Sequence, residues 1–448
     1  MEENRLTEGS VSQSILRFLI PILISSLIQQ CYSVVDLIII GRYVGAEATA
    51  AVGASALIVT CMIGFFNGMA IGTNVVAAHE FGREDNDALK SIIQTVWISG
   101  IGGGIVVMAL GLTFAPLFLS WMNTPDRILQ MAVNYLRIYM LSMPGIILFN
   151  LSSGILRATS DSKHPMMFQT VGGLLNIIGD IIFIIYLNKG VEGAAFSSFL
   201  SQSIAAGLTL FYLHGRKRKI RLNFTFNGFQ LKYLKRIMIF GIPSGIQAMV
   251  ITFSNIMLQS QINQFGIHVI AAFTDYFRIE MAIYLPILAL GQAVISFVGQ
   301  NYGAGQFLRI RKGMKFSILW GVGMTVCMSM LLLFNGSLVM LLFTENTKVI
   351  FYGCQIMRVT MPFYFLYVIY ECLNCELRGR GMANLPMAIT VFSFCVVRIS
   401  ALYLMLMKWQ DVRGVAAIYP ISWSAAVILL LMIKSILNKK GMLSSAVK

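Results

Sequence analysis

Twelve times along its 448 residues the sequence runs apolar for 20 residues or more, and that recurrence decides the class of fold. The runs fall near 15–40, 50–78, 91–119, 130–156, 165–187, 192–214, 237–265, 269–299, 314–343, 350–377, 386–407 and 414–437. Each is long enough to cross a hydrocarbon core of about 30 Å as a helix. Lipid offers no partner to an open strand edge, so helices are the expected form. Charged residues make up 12% of the chain, about half of what a soluble surface carries. A soluble enzyme, a secreted disulfide scaffold and a disordered regulator are thereby excluded. The first run is too long for a signal-peptide core and lacks a small-residue cleavage site, so it is expected to stay in place as a helix.

Charge orients the spans. With both termini in the cytoplasm, 24 of the 34 Lys and Arg fall on the inner face, 6 on the outer loops and 4 inside spans (Arg137, Arg278, Arg358, Arg398). That bias predicts cytoplasmic termini. The cluster RKRKIR at 216–221, with Lys232, Lys235 and Arg236, then forms the central inner connector. Its position suits anionic lipid head groups better than nucleic acid.

The two halves repeat at a fixed offset of 221 residues. Gly45, Ala50 and Ala51 answer Gly266, Ala271 and Ala272; Phe81-Gly82 answers Tyr302-Gly303. Arg137 answers Arg358, Arg157 answers Arg378, Pro165-Met166 answers Pro386-Met387, and Val191 answers Val412. Six spans per unit, an even number, give both halves the same orientation, related by an axis along the membrane normal with substrate between them near the midplane. The division expected is a first lobe over 1–215, a basic connector over 216–236 and a second lobe over 237–448.

Several chemistries find no support. The seven cysteines are an odd set scattered through apolar runs, and the lone C-x-x-C at Cys372 and Cys375 has no second Cys/His pair to complete a zinc site. The GIGGG run at 100–104 follows no strand, and no G-x4-G-K-[ST] occurs anywhere. The histidines (His79, His164, His214, His268) all sit at or near loops and form no catalytic set. No enzyme activity and no cofactor are expected, so transport would draw on an ion gradient or a partner.

Ionised side chains at mid-bilayer cost about 2.5–3.5 kcal/mol on insertion scales, which makes the intramembrane acids Asp36, Asp180, Asp275, Glu280 and Glu371 functional suspects. Asp36 lies near the outer end of the first span. Asp180 lies in the outer half of the fifth, with Asn176 one turn below it, and Ala194 and Ser198 occupy the outer half of the sixth. These residues share one depth. Two carboxylates, an amide, a hydroxyl and a backbone carbonyl make either an oxygen-rich site for a hard cation such as sodium, with Asp36, Asn176 and Asp180 as ligands, or a carboxylate pair that shares a proton. Glu280 sits mid-way along the eighth span, two residues after Arg278; a carboxylate there would attract a lipophilic cation. Tyr139 and Asn150 on the fourth span join Glu280 and Arg278 as candidate substrate contacts. Glu371, two turns before Arg378, reads equally as a structural ion pair or a coupling group, and Arg398 has no assigned role.

The segments VVDLIIIGRYVGAEATAAVG (34–53), GQNYGAG (299–305), LRATSDSKHPM (156–166) with LRGRGMANLPM (377–387), NIIGDIIFI (176–184) and GVEGAA (190–195) resemble the multidrug and toxic compound extrusion (MATE) family. The likeness spans nearly the whole chain and is greatest to the MepA-like bacterial exporters. It implies twelve helices in two lobes, and a monomeric antiporter in the bacterial cytoplasmic membrane that exports organic cations in exchange for protons or sodium. It also implies that Asp36, Asn176, Asp180 and Ser198 form the cation or proton site of the first lobe. The chain departs from the family where AHEFGRED (78–85) stands in place of a glutamine-glycine loop. Sodium-coupled members carry acids on the seventh and tenth spans; here the seventh has none, and Tyr367 stands where the tenth would carry one. A flippase for lipid-linked saccharides, from the same superfamily, is the alternative; its pyrophosphate cargo would need arginine and lysine.

Overall fold

The computed structural model of the chain describes residues 6–215, 222–224, 228–408 and 411–443. Every regular element among them is helical. The order is α1 (Val11–Tyr43), α2 (Ala46–Gly82), α3 (Asn86–Trp121), α4 (Asp126–Met140), α5 (Met143–Ala158), α6 (Lys163–Asp180), a π-helical turn (Ile181–Tyr186) and α7 (Gly190–Gly215). It continues with α8 (Leu231–Ile262), α9 (Ile267–Gly303), α10 (Phe307–Phe334), α11 (Gly336–Leu341), α12 (Thr347–Thr360), α13 (Tyr364–Gly379) and α14 (Asn384–Val391). A π-helical stretch (Phe392–Val397), α15 (Arg398–Lys408) and α16 (Val412–Lys439) complete it. Among the described residues 11 helices are long and apolar enough to span a membrane, and 12 when the pair α4 and α5, bent by 46°, counts as one. The all-α, many-spanned class read from the sequence is what the chain adopts.

All the spans begin before their apolar runs and most also end after them, and the corrections have local causes. α8 starts at Leu231, not 237, because Arg236 is drawn into the helix by a 2.6 Å ion pair to the buried Glu80. Asp85 caps α3 by accepting a hydrogen bond from the Ala88 amide at 2.9 Å, so that helix begins at Asn86. The ninth run is interrupted at Asn335, which separates α10 from the short α11. The RKRKIR cluster at 216–221 lies outside the described residues.

The repeat is visible in the backbone. α2 and α9 are both 37 residues long, begin 221 residues apart, and start after Gly45 (φ 109°) and Gly266 (φ 89°), in the left-handed region that favours glycine. Breaks recur too: Leu141-Ser142 separates α4 from α5, and a 3-10 turn at Met361–Phe363 separates α12 from α13.

The chain divides into two compact units, one from Ile20 to Gly245, the other from Ile246 onward together with the stretch ending at Leu19. α1 and α8 therefore each change unit along their length, which differs from the division at 215 and 237. In the first unit α6 packs on α7 and α5 on both α2 and α3; small residues bring backbones close, as where Gly68 and Gly72 meet Gly245 and Gly241. In the second unit α9 packs on α10, α12 and α13, and α16 on α13 and α15. The GQNYGAG segment is structural in this unit. Gln300 accepts from the Leu6 amide at 3.1 Å, Asn301 donates to the Leu6 carbonyl at 3.2 Å, and Arg309 donates to the carbonyls of Leu6, Glu8 and Gly9 at 2.6–3.1 Å. Large apolar side chains left exposed, such as Phe211, Tyr186, Phe334 and Leu342, are the ones a lipid-facing surface calls for.

Candidate functional site

In the first unit α1, α6 and α7 converge on Asp36 and Asp180. Asp180 is fully buried at the last turn of α6, where the helix widens into a π-helical turn, a distortion common at functional positions. Its carboxyl meets that of Asp36 directly. No N–H or O–H donor reaches either oxygen of Asp180 or Oδ1 of Asp36. Ser197 stands beside Asp180 but donates instead to the Asn176 main-chain carbonyl at 2.6 Å. Asn176, in turn, donates through Nδ2 to Ser197 Oγ at 3.2 Å and Ser198 Oγ at 3.4 Å. Gly179 permits this approach, since a Cβ there would sit 2.5 Å from Ser197 Oγ.

Around this pair lies an aromatic and amide shell. Tyr32, one turn before Asp36, accepts from Gln169 Nε2 at 3.1 Å and packs its ring on Gly173. Tyr139 stacks on Tyr135 with ring centroids 6.0 Å apart and lies within the electrostatic reach of Asp36. Ala194 packs in the apolar cluster of Ile39, Ile40, Tyr135 and Ile184, one turn from Ser198. The structure thus gathers Asp36, Asn176, Asp180 and Ser198, with Ala194 in the adjoining core. Tyr139, read from the sequence as a substrate contact, lies in this group within the first unit. A buried and a half-buried carboxyl in contact, both acceptor-only, with no base beside them among the described residues, are untenable as a pair of bare anions; the arrangement calls for a shared proton or a hard cation.

The second unit arranges its ionisable groups differently. Glu280 is half-buried on α9, and its Oε1 accepts from Tyr364 at 2.8 Å and Tyr276 at 3.4 Å. Arg278 does not pair with it. Its exposed side chain brings Nη1 to 3.5 Å from Oδ1 of the buried Asp275. Asn150, in the first unit, is half-buried on α5. The ion pair between Glu371 and Arg378 is not formed. Glu371 packs against Gly291 and accepts from Cys375 Sγ at 3.2 Å, while Arg378 donates to Gln247. Gln247 extends that network to Tyr370 at 3.0 Å and Thr390 at 2.6 Å.

Residues that the sequence reading did not single out include Tyr32, Ser197, Tyr276 and Tyr364. A signal existed for two of them: Tyr32 precedes Asp36, and Tyr276 precedes Glu280, by four residues, one face of one helix.

Comparison with known proteins agrees with this architecture. The MatE family model matches residues 21–182 and again 243–404, one match in each half. The chain is 28% identical over 404 residues to the probable multidrug resistance protein YpnP of Bacillus subtilis, covering 89% of each. It is 25% identical over 393 residues to the multidrug export protein MepA of Staphylococcus aureus, covering 86% of each. A crystal structure of MATE in the straight conformation superposes with a TM-score of 0.90 at 24% identity, covering 98% of this chain and 99% of that one. With the family model matched over both halves of one repeated helical fold, the chain belongs to the MatE family.

Proposed function

We propose that the chain is a secondary antiporter in the bacterial cytoplasmic membrane, with both termini inside, that exports small lipophilic cations by alternating access. The names of YpnP and MepA support drug export. The observation that carries the coupling is the contact between Asp36 and the buried Asp180, neither of whose oxygens receives a donor. A proton entering from outside neutralises the pair and lets α1, α6 and α7 repack, which biases the protein toward release of its cargo. Each positive charge moved inward gains about 2.3 kcal/mol per 100 mV of membrane potential. Sodium could use the same oxygens, but a shared proton satisfies two touching carboxyls without further ligands.

The flippase alternative needs a guanidinium free for pyrophosphate. Arg278 is paired with Asp275, and Arg398 is covered at 2% exposure, so drug export is the better supported reading. The test is dye efflux from reconstituted vesicles given an imposed pH gradient in sodium-free buffer. Efflux is the expected result. No efflux there, with activity restored by a sodium gradient alone, overturns proton coupling.

A further inference from the structure

At the offset of the repeat, α1 and α7 answer to α8 and α16, and α6 answers to α14, the π-helical stretch after it and the first turn of α15. Asp36 and Asp180 answer to Met257 and Ala401, so the second half keeps neither acid. Arg398 stands there instead, at the place answering to Ile177, next to Asn176 in the first half. Its surroundings are those of a bound cation. Nη1 donates to Asn255 Oδ1 at 2.9 Å and Ser254 Oγ at 3.3 Å; Nε and Nη2 donate to Ser422 Oγ at 3.3 and 3.2 Å. The guanidinium lies over the rings of Phe394 at 4.3 Å and Tyr419 at 5.2 Å.

Every one of these partners is neutral. A buried charge solvated by neutral oxygens and ring faces keeps a field that nothing cancels locally, and low dielectric carries it far. The acid that shares this field is Glu280. An aromatic path joins the two: Glu280 to Tyr364 at 2.8 Å, Tyr364 to Trp423 at 4.9 Å, Trp423 to Tyr419 at 6.0 Å, and Tyr419 to Arg398.

We propose that Arg398 is a tethered cation at the second-half counterpart of the carboxyl-pair position, and that its field, set against Glu280, makes the second unit's site charge-balanced, accepting singly charged cations and discriminating against dications. The proposal deepens the export reading above by naming the charge class of the cargo. Arg398 acts here as a positioning residue, through its field and not by contact.

The test uses the full chain, purified and reconstituted, with two dyes built on one aromatic core, one bearing a single quaternary ammonium and one bearing two. The readout is the ratio of their dissociation constants, measured at equilibrium. Arg398→Gln is expected to shift that ratio toward the dication by about tenfold, and Arg398→Lys to hold it near the wild-type value. Should Arg398→Gln not fold, Asn255→Asp sets a carboxylate against the guanidinium and is expected to shift the ratio the same way. A ratio unchanged in the Gln and Asp variants, or equal shifts in Gln and Lys, overturns the proposal. Efflux of the same dyes separates the two readings. A shifted binding ratio with no wild-type efflux under any gradient upholds the charge assignment and overturns export.

Discussion

The two units present the same three-helix scaffold with opposite charge. Between α1, α6 and α7 the first unit brings together two acids, Asp180 buried and Asp36 half-buried, with no base among the described residues there. Between α8, α15 and α16 the second buries a base whose hydrogen-bond partners are all neutral. A carboxyl pair can take up and lose a proton, whereas a guanidinium stays charged under all physiological conditions. One half of the repeat is therefore switchable and the other fixed. In the proposals above, divergence at a few positions of a duplicated scaffold divides coupling from charge selection.

The largest effect expected of any single change falls on the switchable half. Asp36→Asn and Asp180→Asn should each reduce pH-driven dye efflux at least a hundredfold, by analogy with removing one member of a group that acts as a unit, while expression and insertion stay normal. Near-wild-type efflux from either variant would break the comparison at its root. A smaller effect is expected in the fixed half. Glu280→Gln leaves the Arg398 field unopposed and should weaken binding of cationic dyes about tenfold, and of neutral compounds much less. Equal losses across both classes would make Glu280 a structural partner of Tyr364 and Tyr276. Smallest of all, Ser198→Ala removes a long 3.4 Å bond from Asn176 that Ser197 already duplicates, so efflux should fall by no more than about fivefold, or about 1 kcal/mol. A collapse comparable to that of Asp180→Asn would instead make the Ser198 hydroxyl part of the ion site.

Much of this was legible before any coordinates. Spans and repeat follow from apolar run length and a constant offset, which survive divergence because lipid imposes them on every helix. Helix breaks were less legible. Asn335 ends α10 inside a continuous apolar run, whereas the breaks before α5 and before α13 are announced by Pro144 and Pro362. Arg278 was set beside Glu280 because the two are neighbours in sequence, yet residues two apart on a helix point to different sides. Tyr32 and Tyr276 were hidden because an aromatic residue in an apolar run reads as lipid packing; only their spacing to an acid marks them out. The exchange of partners by Glu371 and Arg378 was unreadable, since Gln247, which captures Arg378, comes from a helix more than a hundred residues earlier.

The anchorage of the first residues has a consequence for biogenesis. Leu6 finds its hydrogen-bond acceptor at Gln300, 294 residues later in the chain. At synthesis rates of about 5–20 residues per second, roughly 15–60 s separate the appearance of the two partners at the ribosome. α1 is made well before its partners, and the segment leading into it has to wait unfastened until α9 and α10 have been made. The order of insertion and the order of completion therefore run in opposite directions. An N-terminal half released early would hold an unfinished first helix, and the finished protein closes by stitching its oldest segment to one of its younger ones.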